Sequence, residues 1–146
     1  MSGHEDRNNI FEQPVLVVDD NTDIASIVSM ILKKVGFKNI RKAASVAEAK
    51  KVILNQADEQ AKRLALVITD LELGDGTGLE IVTLIRQSCP ETKIIMMTGC
   101  ADEKLLDIVR QANIDSLLCK PNILFPLRQT LEKFFTQPVT TTATAC

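Results

Sequence analysis

Leu66-Val67-Ile68-Thr69-Asp70 opens with three apolar residues in a row and closes on a carboxylate. A run that short is not a helix. Its lack of polar alternation predicts a strand covered on both faces, as in a parallel sheet. Three more such runs occupy Val15–Val18, Ile94–Met97 and Leu117–Cys119, and Asn39–Ala44 is a weaker strand candidate. The segments between them carry helical periodicity. Over Thr22–Val35, Ile24, Ile27, Val28, Ile31 and Val35 form one apolar stripe, with Gly36 as the stop. A second helix starts from a Ser45 cap, carries Val46, Ala49, Val52 and Ile53, and is expected to run past Gln60. Others are predicted over Gly78–Ser88, Asp102–Ala112 and Ile123–Phe135.

Five strand-then-helix repeats imply an α/β fold, since parallel strands need right-handed crossovers that put helices on both faces. The expected architecture is a doubly wound (βα)5 flavodoxin-like three-layer sandwich around a five-stranded parallel sheet of order 2-1-3-4-5. In that order the ligand site lies beyond the carboxyl ends of the strands, near the first and third.

At 146 residues, with 45% hydrophobic and 25% charged residues, the chain has material for one domain. A net charge of −2 supplies no basic stripe for nucleic acid. No apolar stretch is long enough to span a bilayer, and the polar opening Met1–Asn9 lacks the order of a secretion signal. A cytoplasmic location is the expectation. Cys89, Cys100, Cys119 and Cys146 show no C-x-x-C spacing, and the one histidine, His4, stands apart, so free thiols are expected rather than zinc. Cys119 is expected to be a small core residue. Residues 1–13 and the Thr-rich residues 136–146 are expected to be flexible tails, with no room after Phe135 for an output domain.

The chemistry collects at strand ends. Asp19 and Asp20 follow the first run, Asp70 ends the third predicted strand, Thr98 the fourth, and Lys120 follows the fifth. Singly, each has a plain reading as helix cap, turn residue, core hydroxyl or surface charge. Those readings do not account for the shared placement. Carboxylates about 4 Å apart repel by roughly 4 kcal/mol at an effective dielectric near 20, so this set calls for a cation. Mg²⁺ suits hard oxygen ligands and commonly joins carboxylates to phosphate. Aspartate can be a phosphoryl acceptor, and such transfer depends mainly on positioning and charge stabilisation.

The segments Val15-Leu-Val-Val-Asp19-Asp20, Leu66-Val-Ile-Thr-Asp70, Ile94-Ile-Met-Met-Thr98-Gly and Leu117-Leu-Cys-Lys120-Pro121 resemble the receiver pattern of two-component response regulators, over residues 14–135. The resemblance implies that Asp70 is the phosphoacceptor. It also implies that Asp20, Asp70 and the main-chain carbonyl of Glu72 ligate Mg²⁺, with Asp19 acting on the metal through water. Thr98 and Lys120 would contact the phosphoryl group, and the Lys120–Pro121 bond would be cis. Implied partners are a sensor histidine kinase or histidine phosphotransfer protein and a downstream target protein, with no direct contact to nucleic acid or membrane. Receivers self-catalyse phosphotransfer and dephosphorylation and are otherwise not enzymes.

Two departures stand out. Leu117 occupies the position of a switch aromatic, and Gly74, Gly76 and Gly78 replace a Met-Pro loop, which predicts a flexible segment. Glu72 and Cys100, two residues past Asp70 and Thr98, are expected to tune phosphoryl lifetime. Two alternatives stay open: a phosphorylation-independent pseudo-receiver and a haloacid-dehalogenase-like phosphatase, whose D-x-D start Asp70-Leu-Glu72 faintly resembles. A flavin site fits less, because the loop after Val18 is acidic rather than Ser/Thr-rich.

Overall fold

A computed structural model describes residues 9–55, 64–99 and 103–135. The strands are β1 (Val15–Val18), β2 (Ile40–Ala43), β3 (Leu66–Asp70), β4 (Lys93–Thr98) and β5 (Ser116–Cys119). The helices are α1 (Thr22–Val35), α2 (Val46–Ile53), α3 (Gly78–Ser88), α4 (Glu103–Gln111) and α5 (Leu124–Phe135). All four strand pairings are parallel and the order is β2-β1-β3-β4-β5, as expected from the repeats.

Period-2 alternation divides the core into two layers. Leu16, Val18, Val67, Ile94 and Met96 face α2, α3 and α4, packing on Ala49, Ile53, Ile81, Val82, Ile85 and Val109. Val15, Val17, Leu66, Ile68, Ile95 and Met97 point the other way, onto Val28 and Leu32 of α1 and Leu127 and Leu131 of α5. β1 and β3 are buried throughout, which is why they read as continuous apolar runs. The edge strands β2 and β5 are only partly covered, so their sequences are more mixed.

Four expectations need correction. Residues 9–13, assigned to a tail, belong to the packed fold: Asn9–Glu12 is a 3₁₀ turn. The Phe11 ring meets Phe37 edge-on at 4.9 Å, and Lys38 N–H donates to the Phe11 carbonyl at 3.1 Å. An isolated Ile-Phe in a polar stretch gives no periodicity, and its partner is 26 residues away. Secondly, α2 stops at Ile53 rather than passing Gln60. The next stripe positions, Gln56 and Ala57, bring little apolar area to bury, and Leu54 is already 49% exposed. Residues 56–63 lie outside the described residues.

Thirdly, the glycine-rich segment is not a loose loop. Glu72–Leu73 and Gly76–Thr77 pair as a short antiparallel hairpin, and Leu73 is buried. Finally, Cys119 is exposed. As the last residue of an edge strand it has a strand neighbour on one side only. The terminal segments 1–8 and 136–146, with His4 and Cys146, fall outside the described residues, as does Cys100.

Candidate functional site

The acidic cluster forms because β1 and β3 are adjacent and parallel, with Val18 in register with Thr69. Their next residues, Asp19 and Asp70, therefore leave the sheet together. Asp19 is 2% exposed, Asp70 8%, and Asp20 is exposed. One carboxylate oxygen from each of the three lies within 4.8 Å of the other two. β4 stands beside β3, and β5 beside β4, so buried Thr98 and the residue after Cys119 reach the same end of the sheet. Main-chain bonds join these ends: Leu71 N–H to the Met97 carbonyl and Lys120 N–H to the Thr98 carbonyl, both 2.8 Å.

Lys120 spans the cluster. Its Nζ donates to Asp70 Oδ2 at 2.7 Å and to Asp19 Oδ2 at 2.9 Å. Burial works against its positive charge, but these two carboxylates outweigh it and hold the ammonium pKa above its ordinary value. Burial, with a smaller contribution from Asp70, raises the Asp19 pKa, against the lowering effect of the Asn21 N–H at 2.8 Å and of Lys120. Metal-free, the pocket thus holds a buried carboxyl whose charge is costly and an ammonium that balances it.

Asn21 serves twice: its N–H donates to Asp19, and its side chain caps α1 by accepting from Asp23 and Ile24 N–H. Glu72 N–H donates to Asp70 Oδ1 at 3.3 Å. Leu117 is partly buried, packed against the core layer that contains Val109. The Lys120–Pro121 bond is cis. The donor set suits a hard divalent ion, being carboxylate oxygen without thiolate or imidazole.

Sequence reading brought together Asp19, Asp20, Asp70, Thr98 and Lys120 at one sheet end, and the fold does the same. It passed over two contacts: the Asn21 N–H bond to Asp19, and Asp75, whose carboxylate accepts from Val46 N–H at 2.8 Å and Ala47 N–H at 3.0 Å. No local offset signals the second, because the two partners are separated by a whole strand and helix.

The five-stranded sheet is doubly wound and carries three aspartates and a lysine beyond the carboxyl ends of its strands, the place where open α/β folds bind ligands. The family profile described as "Response regulator receiver domain" matches residues 15–132, and the chain belongs to that family. It is similar to the photosynthetic apparatus regulatory protein RegA of Cereibacter sphaeroides, 33% identical over 88 residues, 60% of this chain and 44% of RegA. It also resembles the response regulator PilR of Pseudomonas aeruginosa, 30% identical over 117 residues, 80% of this chain and 25% of PilR. The chain thus matches less than half the length of these relatives.

Among solved structures, a CheY-like receiver domain from Methanospirillum hungatei superposes with TM-score 0.70 at 25% identity, covering 84% of this chain and 93% of that one. The Vibrio cholerae chemotaxis protein CheY4 gives TM-score 0.68 at 26% identity, covering 83% and 97%. Receiver domains are signalling modules of two-component systems rather than enzymes of the ordinary kind, and they typically bind Mg²⁺ in an acidic pocket and interact with histidine kinases and downstream targets. The phosphatase alternative falls with this assignment. No described helix is long and apolar enough to cross a membrane.

Proposed function

We propose that this receiver accepts a phosphoryl group on Asp70 from the phosphohistidine of a sensor kinase or phosphotransfer protein, and signals through contacts with a downstream target protein. The observation that carries the reading is the Lys120 ammonium held between the Asp70 and Asp19 carboxylates at the end of the sheet. An Asp70 oxygen attacks phosphorus, the N–P bond breaks, and the imidazole leaves with a proton. Asp19, Asp20, Asp70 and the Glu72 carbonyl would hold Mg²⁺, which lowers the repulsion between the carboxylate and the incoming anion. Lys120 and the Thr98 hydroxyl bind phosphoryl oxygens. Water attack on the acyl phosphate later restores Asp70, at a rate set in part by Glu72 and Cys100. A cytoplasmic setting, where the kinase finds its ATP, is part of the proposal.

A second reading, a phosphorylation-independent interaction module, draws on Leu117, which offers no aromatic ring to couple Thr98 to the surface. Intact-mass analysis after incubation with acetyl phosphate and Mg²⁺ decides between them. The native chain is expected to gain one phosphoryl group and the Asp70→Asn variant none. Equal labelling of both, or labelling of neither, overturns the proposal.

A further inference from the structure

We propose that Asp75 is a positioning residue for the acidic pocket: by clamping the tip of the hairpin after Asp70 onto the first turn of α2, it strengthens divalent-cation binding. The proposal rests on the reading of the pocket as a Mg²⁺ site.

The hairpin has a firm base. Leu71 N–H is bonded to Met97, Gly78 N–H donates to the Leu71 carbonyl at 2.7 Å, and Leu73 is packed in the core. Its tip is the pair Gly74-Asp75, and a Cβ at Gly74 would meet nothing within 4 Å. Asp75 joins that tip to another element through both carboxylate oxygens, one to Val46 N–H and one to Ala47 N–H. Such charge-assisted bonds at a helix N-terminus are stronger than neutral ones.

The clamp is not a redundant cap. α2 already has its own reciprocal pair, Ser45 accepting from Glu48 N–H and Glu48 accepting from Ala44 N–H, which leaves the Val46 and Ala47 donors for Asp75. The link to the pocket is short. Glu72 lies on the hairpin arm that enters the tip, and its N–H touches Asp70 Oδ1 at 3.3 Å. A tip released from α2 passes its motion through Leu73 to the Glu72 main chain, and so to the hydrogen bond that orients the Asp70 carboxylate. Groups that orient metal ligands commonly affect affinity about as strongly as tenfold or more.

The test compares the native chain with Asp75→Ala and Val46→Pro. The second keeps the carboxylate but deletes one donor together with the buried Val46 side chain, at a helix position where proline is tolerated. Mg²⁺ affinity is measured by calorimetry, and amide hydrogen exchange is followed in EDTA. Asp75→Ala is expected to bind Mg²⁺ about tenfold more weakly, and Val46→Pro more weakly to a smaller degree. In both, amides of Glu72–Thr77 should exchange faster without metal while those of β3 do not. Native affinity in Asp75→Ala overturns the proposal. So does a weakened Asp75→Ala beside an unchanged Val46→Pro, which would assign the effect to charge alone. If Asp75→Ala does not fold, Val46→Pro decides. A native chain that takes up no Mg²⁺ removes the pocket reading itself, a result distinct from native and variants binding alike.

Discussion

The Lys120 ammonium lies 2.7 Å from Asp70, 50 residues earlier in the chain, and the same nitrogen reaches Asp19. Removing it leaves two carboxylates facing one another, one of them with a fully buried side chain. Lys120→Met is expected to lose about 2–3 kcal/mol of stability in EDTA, because an uncompensated buried charge is costly. It should also bind Mg²⁺ more tightly than the native chain, since the ion no longer competes with an ammonium. Urea unfolding followed by far-UV circular dichroism, with and without Mg²⁺, reads both effects. Unchanged metal-free stability would show that the bridge contributes nothing.

Asp75 gives stability a pH signature. The Val46 and Ala47 N–H groups hold its pKa below the ordinary 3.8. A depressed folded-state value means its contribution is complete above the unfolded-state value and disappears as pH falls through the folded one. The native chain should therefore exceed Asp75→Asn in stability from neutral pH to about pH 4, and the gap should close below that. Paired urea titrations across this range check the sign. A gap that widens in acid would be the contrary result.

Gly78 leaves no space for a side chain. A Cβ there would run into the main-chain carbonyl of Asp70 and the side chain of Thr69. Gly78→Ala is expected to destabilise the fold by about 2 kcal/mol, as overpacking does, and to weaken Mg²⁺ binding by displacing Asp70. Urea unfolding and metal titration of one preparation test both; native-like values would mean that the turn relaxes without strain.

The thiols should differ in reactivity. Burial raises the Cys89 pKa, with a smaller opposing effect from Thr92, while Cys119 is exposed. Iodoacetamide, which reacts with the thiolate, should label Cys119 before Cys89, as read by peptide mass mapping at pH 7.5. Faster labelling of Cys89 would contradict the packing around it.

Strand order and site composition were legible because each depends on local pattern. Val15–Val18 and Leu66–Ile68 are apolar throughout because both faces of those strands are covered, and this also puts Asp19 and Asp70 side by side at the sheet end. What escaped were contacts made across the chain. Phe11 gains meaning only from Phe37, and Asp75 only from α2. The glycines at 74, 76 and 78 were read as freedom, yet Gly78 is there for closeness, with the Asp70 carbonyl where a Cβ would have to go. Cys119 looked like core because its run is apolar, although the expected strand order already set that strand at the edge of the sheet.

That last strand has a consequence for synthesis. The three aspartates are translated well before Lys120, and the separation between Asp19 and Lys120 is 101 residues. A nascent chain halted ahead of β5 carries the acidic groups without their ammonium and without the strand that delivers it. The charged set at this sheet end is therefore complete only once β5 and the lysine that follows it have been made.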